Sequence, residues 1–240
     1  MRAATRLGII LMLIGAALAT AIAATIAWAD FEGLSYFETG AGYPSFDGLT
    51  CPSVMSLTEE ALVAARFSNP TDVTIEPNYR LNISGKTEFR RLAGKVTVPP
   101  HGHQDAAWTV NSDDIDLGYF ILLRLTVLPT AKMPTRAASC GILALDLGSA
   151  TGDQALTLAV ALSALLMAGG LIAPALLLSE HQRLRFDIDA STPRRRATQA
   201  MGVVCAAAVL PALSGAWLAA WLLCVVGVLL LLIVLRDAFA

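Results

Sequence analysis

Two histidines and an aspartate near the middle of the chain have the spacing of a metal site. His101 and His103 are separated by one residue, and Asp105 follows at the same spacing. Side chains two residues apart on a strand share a face, and imidazole with carboxylate suits zinc or copper. The third histidine of the chain is distant in sequence, so we favour the competing interpretation of a solvated turn.

A cluster of aspartates follows shortly after. Asp113, Asp114 and Asp116 provide the carboxylate oxygens that a hard cation such as calcium prefers. Their spacing is not that of an EF-hand loop, and acidic loops between strands are common on soluble surfaces. We therefore treat these three residues as weak calcium candidates, and we expect neither a metal nor another cofactor.

The four cysteines divide into two pairs by their surroundings. Cys51 and Cys140 lie in a polar segment, and an oxidising compartment would permit a disulfide between them. Cys205 and Cys224 lie in apolar stretches, where cysteine is usually a small apolar side chain. The sequence therefore predicts one disulfide, Cys51–Cys140.

The elements that carry these residues are separated by long apolar stretches. Of the 240 residues, 55% are hydrophobic and 15% charged. Ile9–Ala29 and Ala155–Ser179 contain no charge over 21 and 25 residues, and each exceeds the roughly 20 residues that a membrane span needs. Ala197–Leu235 contains no charge over 39 residues, and Pro211 near its middle indicates two spans joined by a tight turn.

These stretches predict a membrane protein with an all-α bundle of about four transmembrane helices and one extracytoplasmic all-β sandwich. The predicted organisation is a first transmembrane helix over 1–29, an irregular segment over 30–50, the sandwich over 51–153, a second helix over 154–179, a basic cytoplasmic loop over 180–196, third and fourth helices over 197–235, and a cytoplasmic tail over 236–240.

Arginine placement predicts the orientation of the chain. Arg2 and Arg6 precede the first stretch, five arginines lie within 180–196, and Arg236 follows the last stretch. The positive-inside rule places these residues in the cytoplasm. Residues 30–153 contain 15 acidic and 9 basic residues, a formal charge of −6, and are expected outside. We therefore expect a multi-pass protein of the cytoplasmic (plasma) membrane, with both termini in the cytoplasm.

The first apolar stretch has a second interpretation. Ala27-Trp28-Ala29 before Asp30 resembles the small-x-small cleavage site of a secretory signal. The apolar stretch is longer than a usual signal core, so we favour an uncleaved anchor. The 30–153 segment is expected outside in both cases.

Aromatic residues mark candidate contact surfaces with a partner or the membrane. The segment 30–50 is rich in glycine and aromatic residues without a clear period, and it is either a loop that packs its own rings or a binding patch. Tryptophans at the expected outer ends of spans are typical of an aromatic belt. The candidates are Trp28, Phe31, Tyr36, Phe37, Tyr43, Phe46, Trp217 and Trp221.

From Cys51 onward, short alternating runs punctuated by turn residues predict an antiparallel sandwich of six or seven strands. We expect strands at Tyr79–Ser84, at Lys95–Val98 paired in a hairpin with Ala106–Val110, at Tyr119–Leu128 as a central strand, and at Ile142–Leu147. Ser56–Phe67 is ambiguous between helix and strand, and we favour strand.

Three features resemble immunoglobulin-like and fibronectin-III-like domains at the level of architecture. They are the turn Phe67–Asp72, the turn Val98–Gly102, and Tyr119 near the start of the apolar strand. The resemblance covers about 95 residues. The Cys-Trp-Cys core is absent, and Tyr119 lies three residues after Asp116, whereas the usual tyrosine-corner spacing is four. The resemblance therefore implies a two-layer sandwich and no particular activity.

Small residues recur every four positions in the first two apolar stretches, which allows helices to approach closely. They are Gly15, Ala19 and Ala23 in the first stretch, with Ala155, Ala159 and Ser163 in the second. The charge-free spans disfavour a transporter. No nucleophile elbow, phosphate loop or dinucleotide fingerprint is present, so we expect no enzyme.

The preferred hypothesis is a non-enzymatic subunit or scaffold of a membrane complex, whose outer β domain binds a protein partner. Its partners would be the lipid bilayer and either another membrane protein or a second copy of the chain, without nucleic acid. The alternatives are a surface receptor or ligand-binding module, with calcium dependence as one version, and an enzyme whose site is assembled from residues distant in sequence.

Overall fold

A computed structural model describes residues 2–37, 43–130 and 133–177, together with positions 204, 219, 222, 223 and 225–229. By internal contacts the chain forms two compact units, Met1–Ala27 with Leu156–Ala240, and Trp28–Ala155. We call the second unit the β domain.

The predicted bundle of about four transmembrane helices is wrong. The described residues contain two long helices, α1 at Arg2–Tyr36 and α2 at Gly152–Leu177, and one 3-10 turn at Ser112–Asp114, whereas most of the ordered elements are strands in two sheets. A long charge-free stretch shows that a segment is apolar enough to enter a bilayer. It does not show how many helices that segment forms. Most of the stretch 197–235, predicted as two spans, lies outside the described residues.

Eight strands form the β domain, slightly more than predicted. They are β1 Leu49–Thr50, β2 Val54–Ser56, β3 Ala61–Ser68, β4 Asn78–Ile83, β5 Arg90–Lys95, β6 His103–Val110, β7 Phe120–Val127 and β8 Arg136–Leu145. One sheet has the order β1-β3-β6 and the other β2-β8-β7-β4-β5. The pairs are antiparallel except β2 with β8, which run parallel.

The two sheets pack through the apolar face of each strand. In β3 the burial alternates strictly, so Ala61, Val63, Ala65 and Phe67 face the core while the residues between them face solvent. Strand β7 is buried on both faces along most of its length, as predicted for a central strand. The sandwich with a core between two sheets is therefore confirmed, and any closer kinship with the immunoglobulin-like or fibronectin-III-like families stays a prediction.

The predicted hairpin is wrong. Strand β5 ends at Lys95 and pairs with β4, whereas β6 pairs with β3 in the other sheet. Beyond Lys95, Val98 makes only an isolated bridge with Ile75. Alternation shows that a segment is half-buried in a sheet, but it does not identify the neighbouring strand.

The disulfide between Cys51 and Cys140 is confirmed. Cys140 lies in the middle of β8, and Cys51 lies between β1 and β2. The bond therefore links the β1–β2 connection to an inner strand of the five-stranded sheet and closes a loop with a sequence separation of 89 residues.

Helix α1 continues to Tyr36, beyond the boundary predicted at Ala29, so the segment predicted as irregular begins with helix. Its last turns cover part of the outer face of the five-stranded sheet, where Ala29 packs with Phe120 and Leu122. The Ala29 carbonyl lies so close to Gly141 of β8 that a side chain at position 141 would collide with it. Asp30 accepts a hydrogen bond from the Gly141 amide at 3.2 Å through Oδ1.

Candidate binding cleft

A cleft of about 690 Å³ opens at the end of the β domain where β3 finishes and β8 begins. Residues from β1, β3, β6, β7 and β8 and from three connecting segments line it, so both sheets contribute. Volumes of this size are typical of ligand-binding clefts in proteins. We call it the end cleft.

The inner wall of the end cleft is apolar. Phe46 and Phe67 have ring centroids 5.3 Å apart, and Ile75, Val127 and Met133 complete this wall. Phe46, Phe67, Ile75 and Val127 belong to the domain core, so the packing of the sandwich fixes their positions. The wall is therefore a preformed surface that could accept an apolar side chain.

The outer wall carries a charged pair. Arg66 of β3 and Asp105 of β6 are direct partners in the strand register. The guanidinium donates from Nε at 2.8 Å and from Nη2 at 2.9 Å to the two carboxylate oxygens. This hydrogen bonding holds the pKa of Asp105 below its usual value and raises that of Arg66. The pair is exposed to solvent and fixed in a two-point geometry that another polar group could extend.

Arg136 adds a second guanidinium to the end cleft. It is the first residue of β8, lies opposite Val127 of β7, and is half-buried. Its Nε is shielded from solvent and makes no hydrogen bond with any of the described residues. The rest of this half-buried guanidinium suits a partner that supplies a carbonyl or carboxylate oxygen.

The chemistry available in the end cleft is recognition. Its lining residues are apolar side chains, two arginines, two aspartates, serine and threonine, without a histidine or cysteine. The end cleft was not predicted, because its residues come from segments far apart in the sequence. The one available signal was the pair of arginines 66 and 136, each at an edge of an apolar run.

His101 and His103, the weak candidates for a metal site, do not belong to any group of three metal-ligating side chains among the described residues. His101 Nε2 lies 2.7 Å from Asp72 Oδ1 in an exposed turn, and His103 begins β6 opposite Ser68. His101 therefore lies in a turn, whereas His103 is part of a strand.

The three calcium candidates have different partners. Asp114 is buried and accepts hydrogen bonds through Oδ2 from Arg90 Nη2 at 2.7 Å and from the Asn111 amide at 3.0 Å. Asp116 accepts from the Tyr36 hydroxyl, and Asp113 is exposed. Burial raises the pKa of Asp114, and the hydrogen bond from Asn111 and the charge of Arg90 offset only part of this effect. The carboxylates therefore stabilise the turn and do not form a ligand set.

The predicted aromatic contacts separate into three groups. Tyr36 and Phe37 pack with each other and with Phe89, with ring centroids 5.1 to 5.7 Å apart, and Arg124 donates to the Phe37 carbonyl at 2.5 Å. Phe46 is buried in the core and lines the inner wall of the end cleft, and its role as a contact residue stays a prediction. The side chains of Trp28, Phe31 and Tyr43 are exposed, whereas Trp217 and Trp221 lie outside the described residues.

The small residues predicted to pack helices lie in or next to the first compact unit, Met1–Ala27 with Leu156–Ala240, which we call the helical unit. Gly15, Ala19 and Ala23 of α1 are buried, and Ser163 of α2 donates from Oγ to the Gly15 carbonyl at 2.9 Å. Ala155 and Ala159 are only half-buried. The structure therefore brings Gly15 and Ser163 together.

No known family and no curated protein matches the sequence. Among solved structures, the chain is similar over 42% of its length to a cycloisomaltooligosaccharide glucanotransferase of Paenibacillus sp., at 13% identity and a TM-score of 0.33. It is similar over 43% to the CARDB domain of a Pyrococcus furiosus protein crystallised with di-metal ions, at 10% identity and a TM-score of 0.31. A β-glucosidase of Listeria innocua matches over 39% at 13% identity and a TM-score of 0.26.

The similar region covers 14% of the glucanotransferase, 95% of the CARDB domain and 15% of the β-glucosidase. All three TM-scores are below 0.5, so these similarities carry no conclusion about function. A functional assignment therefore depends on the chemistry of the chain's own surfaces.

Proposed function

We propose that this chain is a membrane-anchored, non-enzymatic subunit or scaffold whose β domain binds a protein partner outside the cytoplasm. The observation that carries the proposal is the end cleft, where a preformed apolar wall meets the guanidinium of Arg136, whose Nε lacks an acceptor among the described residues. An apolar anchor beside an arginine is a common arrangement at protein–protein interfaces.

The two long helices support membrane anchoring. Leu7–Tyr36 and Gly152–Gly170 are long and apolar enough to cross a bilayer, with mean hydropathies of 2.5 and 1.4. The same composition in α1 is also typical of an N-terminal signal sequence. In α2, Leu158 and Leu165 are 68% and 70% exposed, and leucines at this exposure favour a lipid environment. We propose that α1 and α2 both cross the membrane.

The disulfide and the arginines support the orientation. A Cys51–Cys140 bond persists in oxidising compartments, which for a membrane-anchored domain means the extracytoplasmic side. The arginines that precede α1 and crowd residues 180–196 favour the cytoplasm for those segments. With one crossing by α1 and one by α2, the β domain between them lies on the other side of the membrane from both of these arginine-containing segments.

A protein partner fits the end cleft better than a metal ion or a substrate. The described residues contain no group of three or more histidine, cysteine or acidic side chains that could hold a metal ion. A polypeptide provides both an apolar side chain for the Phe46–Phe67 wall and a carbonyl or carboxylate oxygen for Arg136. The open form of the end cleft also suits a segment of a larger molecule.

Site-specific photo-crosslinking in the native membrane tests this proposal. A benzoylphenylalanine at Met133, in the end cleft, should give a discrete adduct whose partner mass spectrometry identifies. The matched control is the same group at Lys86, an exposed position in the turn between β4 and β5. Adducts absent from position 133, or identical from both positions, would overturn the proposed binding surface.

A further inference from the structure

The β domain exposes five apolar side chains at the end opposite the end cleft. They are Trp28, Leu57, Leu117, Tyr119 and Leu145, each between 38% and 50% exposed. We call this set the apolar rim. Only Trp28 was predicted from the sequence as a contact residue.

Contacts within the β domain place the rim residues at one end of the sandwich. The Leu57 amide donates to the Leu145 carbonyl at 3.0 Å, and the neighbouring Ala144 amide donates to the Tyr119 carbonyl at 2.8 Å. The ring of Phe120 contacts two aromatic members of the rim. Its centroid lies 4.7 Å from that of Tyr119 and 6.4 Å from that of Trp28. These contacts bring Trp28, Leu57, Tyr119 and Leu145 to the same end of the sandwich.

The tip of the rim has an unusual backbone. Leu117 has φ of +51° and is followed by Gly118 at +85°. Left-handed conformations are unfavourable for a branched, bulky residue, and asparagine or glycine would adopt them at lower cost. A leucine held in this conformation with its side chain half exposed is a feature that often accompanies a functional contact.

The first and the last residues of the β domain both lie at the same end of the sandwich as the rim. Near its beginning, Ala29 packs with Phe120 and Leu143. Near its end, the Gly152 amide donates to Glu59 Oε2 at 2.8 Å, close to Leu57 in the chain. From each of these points the chain continues as α1 or α2, the two helices with the length and composition of a membrane span.

We propose that the apolar rim inserts into the interfacial layer of the lipid bilayer and holds this end of the β domain against the membrane surface. The inference rests on the proposed anchoring by α1 and α2. Tryptophan and tyrosine prefer the membrane interface because their rings combine an apolar body with a polar group. The occupant is a lipid surface rather than a protein, since both connections to the candidate spans, at Ala29 and at Gly152, leave from this end of the β domain.

We expect binding to depend on burial of the apolar rim side chains rather than on attraction to anionic lipid. The Trp28 indole donates to Glu32 at 2.6 Å, which leaves the ring itself available for lipid contact. Amphipathic segments of this kind reach about 5–10 Å into the headgroup and acyl boundary.

Spin-label accessibility in the full-length chain tests the inference. Single cysteines at Leu117, at Val73 and at Ile14 would be labelled in a background with Cys205 and Cys224 replaced by alanine, in phosphatidylcholine vesicles. Val73 is an exposed apolar residue beyond the far end of β3, and Ile14 is exposed on α1. Power saturation with oxygen and with a polar nickel chelate reports the depth of each label.

We expect Ile14→Cys to be deep in the hydrocarbon, Leu117→Cys to be in the interfacial layer and Val73→Cys to be in water. A label at Tyr119→Cys should reproduce the value at position 117. Equal aqueous values at 117, 119 and 73 with a deep value at 14 would overturn the rim while anchoring stands. An aqueous value at position 14 would instead overturn the anchoring itself.

Discussion

Ser163 of α2 donates a hydrogen bond from Oγ to the main-chain carbonyl of Gly15 in α1 at 2.9 Å. A Cβ atom at Gly15 would lie 2.8 Å from the Ser163 carbonyl oxygen and 2.9 Å from the Met167 amide nitrogen. The helices therefore approach each other closely at this point because position 15 has no side chain.

We expect Gly15→Leu to lower the stability of the helical unit by about 1–3 kcal/mol, since the added side chain must force the helices apart. Ala17→Leu is the matched control, because Ala17 is exposed on the same helix. The measurement is the thermal unfolding midpoint of the full chain in detergent. Equal midpoints for the two variants would contradict the close packing at Gly15.

The Cys51–Cys140 bond should dominate the stability of the β domain. A loop with a sequence separation of 89 residues corresponds to about 4–5 kcal/mol on the chain-entropy description. We expect replacement of both cysteines by alanine to lower the urea midpoint strongly, and replacement of Cys205 and Cys224 to change it little. A loss of similar size from the second pair would contradict this assignment.

Arg90 connects the two sheets. Its Nη2 donates to the Thr109 carbonyl of β6 and to Asp114 Oδ2, both at 2.7 Å. We expect Arg90→Gln to cost about 1.5–3 kcal/mol, because it removes charged hydrogen bonds and leaves Asp114 buried without its cation. Arg91→Gln is the control on the same strand, an exposed residue expected to stay within about 0.5 kcal/mol of the parent in chemical unfolding.

Asp114 should make stability depend on pH. Because burial raises its pKa in the folded chain, its contribution is fully present below the pKa of the unfolded state and is lost as pH rises through the folded pKa. We expect the difference in melting temperature between the parent and Asp114→Asn to shrink as pH rises above about 4, the ordinary pKa of an aspartate. A difference that grows with pH would show that the ion pair with Arg90 outweighs burial.

Part of the fold could be predicted because its signals are local. Strand β7 is apolar at most positions, and apolar and polar residues alternate along β4. Cys51 and Cys140 are the two cysteines of the polar segment, so their pairing left one choice. The pairing of β5 and β6 could not be predicted, since each strand's partner depends on tertiary packing. The end of α1 was also missed, because contacts with β8 stabilise the helix over Asp30–Tyr36.

The candidate surfaces were harder to predict than the strands. The end cleft combines Arg66, Asp105 and Arg136, which are distant in sequence and meet only after the sheets pack. The rim depends on the exposure of Leu117 and Tyr119, and the sequence predicted Tyr119 as part of a buried strand start. Apolar residues in a β-rich segment are assigned to the core by default, and only the structure shows which of them remain outside.

Labelling of intact cells is the most direct test of an exported, membrane-anchored β domain. Val73→Cys and Ala3→Cys would each be placed in the background lacking Cys205 and Cys224 and treated with a membrane-impermeant maleimide. We expect Val73→Cys to react in intact right-side-out cells or spheroplasts and Ala3→Cys to react only after lysis. Reaction of Val73→Cys only after lysis would place the β domain in the cytoplasm and contradict the proposed function.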